Sequence, residues 1–153
     1  MRYFVMEPQG DKLLPLAPKG EDAEIVISSV LDRFYDIDYD MRSELISERL
    51  KLLLEMYMPR YNFRPVVYLD QPKEEQLIFW RFRPPTYTED FQATYKGNGM
   101  LSHFVPPNND VPIIFTARSP KRGVRSIVVR MAVAEGALRR GIFGVKFTQV
   151  TEE

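Results

Sequence analysis

Between residues 43 and 70 the chain reads SELISERLKLLLEMYMPRYNFRPVVYLD, and its apolar positions change period part-way along. Leu50, Leu53, Leu54 and Tyr57 recur at the three-and-four spacing of one helical face, while Lys51 and Glu55 stand four apart on the polar side. This pattern predicts an amphipathic helix over about 44–58, the main helix of the chain. Ser47 is placed to serve as its N-cap, with Glu48 at the positive end of the helix dipole. Pro59 closes it, because proline lacks an amide donor and clashes with the preceding turn. Residues 66–69 and 77–82 then read as two strands around the charged turn DQPKEEQ, a hairpin.

Elsewhere the elements are shorter. Residues 3–6 form a β-prone run that ends in the turn cluster Pro8-Gln9-Gly10-Asp11. Residues 12–22 carry Pro15, Pro18 and Gly20 and read as a loop. Over 24–35, Ile25, Val26, Val30 and Phe34 fit either a strand followed by a helical turn or one short helix. Residues 83–110 are polar, aromatic and dense in turn formers, which marks a folded surface segment with short elements of its own or a functional edge. Residues 112–116 and 126–130 read as strands around the SPKRG turn, 131–140 as a shorter C-terminal helix with Gly141 just past its end, and 145–150 as a last strand. The predicted fold class is α+β: a single domain over 1–153, mainly antiparallel sheet, with the two helices named. Leu50, Leu53, Leu54, Val66, Val67, Ile127, Val129 and Phe147 are its expected common core.

Composition narrows the chemistry. With 44% hydrophobic and 27% charged residues, the 153-residue chain has the make-up of a globular protein. Its longest apolar runs fall far short of the roughly 20 residues that a membrane-spanning helix needs, so no membrane partner is expected. The N-terminal stretch MRYFVMEPQGDK lacks the apolar region and cleavage site of a secretory signal, and the absence of cysteine excludes disulfides, thiolate nucleophiles and Cys-ligated metals. A cytoplasmic protein without cofactors is the expectation. Formal charge is zero but uneven: −4 over 1–60, −1 over 61–110 and +5 over 111–153.

Asp36, Asp38 and Asp40 alternate as in the start of a calcium loop, but Met41 stands where that motif has glycine and Ser47 where it has glutamate. The same segment interleaves Tyr35 and Tyr39 with the carboxylates, a combination suited to a basic protein partner. The structural alternative is a buried Phe34 and Tyr35, with aspartates that keep a sheet edge soluble. His103 is the sole histidine, and its neighbour Ser102 lies in no nucleophile-elbow pattern. Gly97-Asn98-Gly99 matches no phosphate loop and reads as a turn. Arg118, Lys121, Arg122, Arg125, Arg130, Arg139, Arg140 and Lys146 favour nucleic acid, yet no recognised binding motif accompanies them. In LIFWRF, alternation puts Phe79 with Arg81 on one face and Trp80 with Phe82 on the other.

Three segments carry a family resemblance: residues 45–70, the strand LIFWRF with its aromatic pair at 77–82, and residues 113–150. ISERLK at 46–51, the strand entry FRPV at 63–66 and GIFGVKF at 141–147 resemble the layout of a bacterial family of small α+β domains, grouped with predicted immunity proteins of polymorphic toxin systems. The likeness covers about 40–150. It implies a non-enzymatic protein that binds and neutralises a cognate toxin domain, with no catalytic, cofactor or metal residues. A small nucleic-acid- or anion-binding domain using the basic C-terminal third is the alternative, and an uncharacterised hydrolase the third reading. The partner-binding residues expected are Tyr35, Asp36, Asp38, Tyr39 and Asp40, joined by Tyr87 and His103, and a homodimer is left open.

Overall fold

A computed structural model describes residues 1–16 and 24–152. The fold is α+β and mostly sheet, and its internal contacts cluster into two compact units. The first comprises residues 1–7, 83–136 and 147–153, and the second residues 8–82 and 137–146.

The first unit is built on a four-stranded sheet of β1 (Tyr3–Pro8), β9 (Ile114–Arg118), β10 (Arg125–Arg130) and β11 (Val145–Gln149), in the order β11-β1-β10-β9. β10 pairs antiparallel with both neighbours, Val5 opposite Val128 and Phe115 opposite Val128 on the other side. A separate antiparallel pair, β7 (Gln92–Tyr95) and β8 (Leu101–Val105), lies within the 83–110 segment, which therefore has short elements of its own. Aromatic rings fill this core: Tyr3 meets Phe104 edge-on at 5.4 Å between ring centroids, and Phe104 meets Phe91 at 5.1 Å and Phe115 at 5.6 Å.

The second unit holds a five-stranded sheet in the order β2-β5-β6-β4-β3. Its strands are β2 (Glu24–Ile27), β3 (Tyr39–Asp40), β4 (Leu45–Ser47), β5 (Arg64–Asp70) and β6 (Glu75–Arg81), all antiparallel except the β2–β5 pair. A 3₁₀ turn, Leu31–Phe34, follows β2, so of the two readings of 24–35 the strand with a helical turn is the one adopted. Leu31, Ile37, Leu45, Val66, Tyr68 and Phe79 share one buried cluster with Leu14. The loop expected over 12–22 falls outside the described residues from position 17 onward.

The main helix, α1 (Glu48–Leu54), is shorter than its sequence pattern predicts. Residues 45–47 are the strand β4 instead, because β6 offers Phe79, Trp80 and Arg81 as ladder partners for them and a tight turn delivers them there. In that turn Glu44 takes φ +57, and the Asp40 carboxylate accepts from the Ser43 amide at 3.2 Å. Ser47 caps α1 as its residue type dictates, its hydroxyl accepting from the Leu50 amide at 3.3 Å. At the other end the amides of Met56 and Tyr57 bond back only three residues, so the helix has already tightened into a turn before Pro59.

The second helix, α2 (Met131–Arg139), ends as predicted. Gly141 takes φ +69, its amide bonds the Leu138 carbonyl at 3.1 Å, and the Ile142 amide reaches the Ala137 carbonyl at 3.0 Å. These are the paired bonds of a Schellman cap, and both Ile142 and Ala137 are buried.

The expected common core is corrected in two respects. Val67 is only half-buried because it lies on the outward side of its strand's alternation, and Phe147 is half-buried although it shares a face with buried Val145. Leu50, Leu53, Leu54 and Val66 belong to the second unit, whereas Ile127 and Val129 belong to the first.

Candidate functional site

The acidic segment was expected to present a row of carboxylates, and the structure corrects this: only Asp36 faces solvent, bonded to the Lys12 ammonium at 2.7 Å. That bond holds the Asp36 carboxyl below its ordinary range. Asp38 is fully buried and accepts from four donors. Ser47 donates its hydroxyl at 2.6 Å, Arg49 donates through Nε and a terminal nitrogen, and the Gly144 amide donates at 2.7 Å. The bidentate bond to Asp38 keeps the Arg49 guanidinium still more firmly protonated than usual. Gly144 is required here, because a Cβ at that position would stand 2.5 Å from the Asp36 carbonyl oxygen and 2.7 Å from the Asp38 amide.

Asp40 is likewise buried, and with Arg42 and Tyr68 it holds residues 14 and 15. It accepts from the Leu14 amide at 2.9 Å, Arg42 donates to the Leu14 carbonyl, and the Tyr68 hydroxyl donates to the Pro15 carbonyl at 2.8 Å. Burial, then the nearby Asp40 charge, push the Tyr68 phenol up to about 12. The three carboxylates therefore diverge, and among the described residues no group of three or more acidic or histidine side chains could hold a metal ion.

Tyr39 is 4% exposed and cannot contact a partner, while Tyr35, at 55%, can. With Leu52, 49% exposed, Tyr35 lines an open groove of about 560 Å³ whose floor includes Ile37, Leu77 and Phe79 and whose wall carries Arg49. Leu52 was not among the sequence-predicted site residues. Its signal was present in the run Leu52-Leu53-Leu54, because three consecutive leucines cannot all fit one helical stripe.

Tyr87 and His103 lie in the first unit and so in a different unit from Tyr35 to Asp40. Tyr87 is half-buried against Phe91 and Phe115. His103 lines a hollow of about 410 Å³ with Tyr3, Phe104 and Asn109, its Nε2 3.8 Å from a Glu152 carboxylate oxygen. Ser102 donates instead to the Thr94 carbonyl at 3.0 Å, so these strand neighbours form no nucleophile and base pair. The basic residues are also divided: Arg118 to Arg130 fall in the first unit, and Arg139, Arg140 and Lys146 in the second. Arg130 is committed to the Tyr3 hydroxyl at 3.1 Å and to the Val111 carbonyl. Trp80 is half-buried beneath the Lys51 ammonium, 4.5 Å from its ring centroid.

No family model, curated protein or solved structure matches the chain. The comparisons thus identify no family for the chain, and the structure gives the segments that carry the resemblance to immunity-type proteins structural tasks. ISERLK supplies the last strand residues and the cap of α1, and GIFGVKF supplies the helix stop at Gly141 and the close approach at Gly144. Among the described residues no helix is long and apolar enough to cross a membrane.

Proposed function

We propose that the protein is a non-enzymatic, immunity-type protein that binds and neutralises a cognate bacterial toxin domain. The observation that supports this reading is the groove of the second unit, where Tyr35 and Leu52 stay half-exposed beside a set of rigidly bonded polar groups. A tyrosine held at the rim of a groove of mixed polar and apolar lining is the kind of side chain that carries binding energy between proteins, and the leucine beside it adds apolar area that excludes water. Arg49 is fixed by Asp38 at the wall of the trough and offers a preorganised charge. Asp36, next to Tyr35 in the chain, has an exposed carboxylate paired with Lys12.

Co-expression tests this directly. The chain is produced in bacteria together with toxin domains encoded beside it, and survival is scored. Wild type restores growth against one of them, and the double variant Tyr35→Ala, Leu52→Glu loses that protection while remaining folded. Protection that survives both substitutions would place the interface elsewhere, and failure against every neighbouring toxin would refute the function itself.

A further inference from the structure

Strand β2 closes one side of the five-stranded sheet of the second unit: it pairs with β5, and among the described residues no strand pairs with its other edge. The Ser28 amide donates to the Leu69 carbonyl at 2.9 Å, so main-chain groups alternate toward and away from β5, and those of Ile25 and Ile27 point to the open edge. Their side chains are outside as well. Val26 packs on the core cluster, whereas Ile25 and Ile27, on the opposite face, are 68% and 60% exposed. The register puts Ile25 in line with Val67 and Ile78, and Ile27 in line with Leu69, three residues that are themselves only half-buried. An aliphatic sheet face therefore runs out to the edge. Lysine, proline or a bulge commonly guards such an edge, and the strand EIVI with its unbroken register has none of them.

An open edge takes an extended chain, because only a strand meets its amides and carbonyls in sequence. We infer that this strand is β2 of a second copy of the chain, docked antiparallel across a two-fold axis with Val26 opposite Val26 of the copy. In that register Ile25 of each copy faces Ile27 of the other, the outward amide and carbonyl of both residues are bonded, and the exposed isoleucines of the two copies join on one face. Glu24 falls opposite Ser28 of the copy, so no like charges meet. Sliding the copy until Ile27 faces Ile27 would instead set Ile25 against Ser29, without an apolar partner. An unrelated strand meets the same main-chain groups but lacks this built-in match, which is why the copy is the occupant chosen. The strand is short, and the association expected is one that dissociates on dilution. No residue of β2 lines the groove beside Tyr35, so the inference does not depend on the toxin reading.

Sedimentation of the full chain over a concentration series reaching about 1 mM reads the association. The expected result is a monomer–dimer equilibrium that the double variant Ile25→Thr, Ile27→Thr weakens by roughly ten-fold with unchanged circular dichroism, since threonine keeps the β-branched shape and loses apolar area. The register is read separately, because the chain has no cysteine of its own. Directly opposite residues of a bonded pair stand about 5.5 Å apart at Cα, within disulfide reach, while diagonal ones stand about 7–8 Å apart, beyond it. An equimolar mixture of Ile25→Cys and Ile27→Cys proteins should therefore form covalent dimers on air oxidation several-fold faster than either protein alone. A chain that stays monomeric throughout the series would overturn the proposal, and so would a dimer indifferent to the threonine pair. Cross-linking no faster in the mixture than in the single variants would overturn the pairing of β2 with its copy.

Discussion

The segment around Asp38 and the patch around Phe143 invert the usual placement of polar and apolar groups. Asp38 and Asp40 are sealed inside the second unit, whereas Met56, Leu138 and Phe143 are left outside it. The carboxylates are inside because each has enough donors to replace water: four for Asp38, and the Leu14 and Ser43 amides for Asp40. The apolar side chains are outside because they belong to a helix cap and the turns beside it, where the backbone bonds, not the side chains, decide the course of the chain. Residue type alone would have assigned the two regions the opposite roles, and hydrogen-bond supply is what separates them.

The comparison predicts that substitutions in the first region act on stability and those in the second do not. The largest effect belongs to Asp38→Ala, which strands Ser47 and the Gly144 amide and leaves Arg49 without its counter-charge. A loss of about 3–5 kcal/mol in urea unfolding is expected, and a loss under about 0.5 kcal/mol, the surface range, would mean that the buried carboxylate is not structural. Next comes a pH effect. The Tyr68 phenol ionises near its ordinary 10.0 in the unfolded chain but only at about 12 in the fold. Its contribution is therefore intact below pH 10 and lost as pH rises through 12, a fall of about 2–3 kcal/mol that the Tyr68→Phe variant should lack. Parallel alkaline unfolding curves for the two proteins would contradict this assignment.

Gly144→Ala ranks third. Its methyl group would meet backbone atoms of Asp36 and Asp38, which cannot swing aside as a side chain could, and a cost of about 1–3 kcal/mol follows. Thermal unfolding of this variant alongside Gly97→Ala, whose Cβ would meet nothing within 4 Å, isolates the close approach from the general effect of replacing glycine. The smallest change is Phe143→Ser, expected to alter stability by no more than about 0.5 kcal/mol. A large loss there would show that the ring is part of the fold and not a free surface.

Much of the architecture was legible in the sequence. The β5–β6 hairpin, the Ser47 cap, the extent of α2 and the glycine that stops it all follow from local pattern, because each is decided by residues within a few positions of one another. Residues 45–47 fall within the span predicted as helix but are strand, for the converse reason: β6 offers them ladder partners more than thirty positions away. The candidate site was read less well. The alternation of Asp36, Asp38 and Asp40 was visible, but that Asp38 would be met by an amide 106 positions away was not, and without that donor a buried aspartate is not the natural expectation. Phe143 drew no notice as a surface residue because it stands beside Ile142, which is buried, and nothing in GIFG distinguishes the two.

The bond between Gly144 and Asp38 also constrains the order in which the protein can mature on the ribosome. The second unit draws on residues 8–82 and on 137–146, so its long first portion emerges while the segment that completes it is still unmade. At roughly 5–20 residues per second, the wait for Gly144 after residue 82 is a matter of seconds, far longer than hairpins and helical turns need to form. Throughout that interval Asp38 has its ring of donors incomplete and Gln9 lacks the Gly144 carbonyl to which its amide bonds. The five strands of this unit's sheet all lie within residues 24–81 and are made before that interval begins, so what waits is the donor set of Asp38, and its completion by Gly144 is a late event in synthesis.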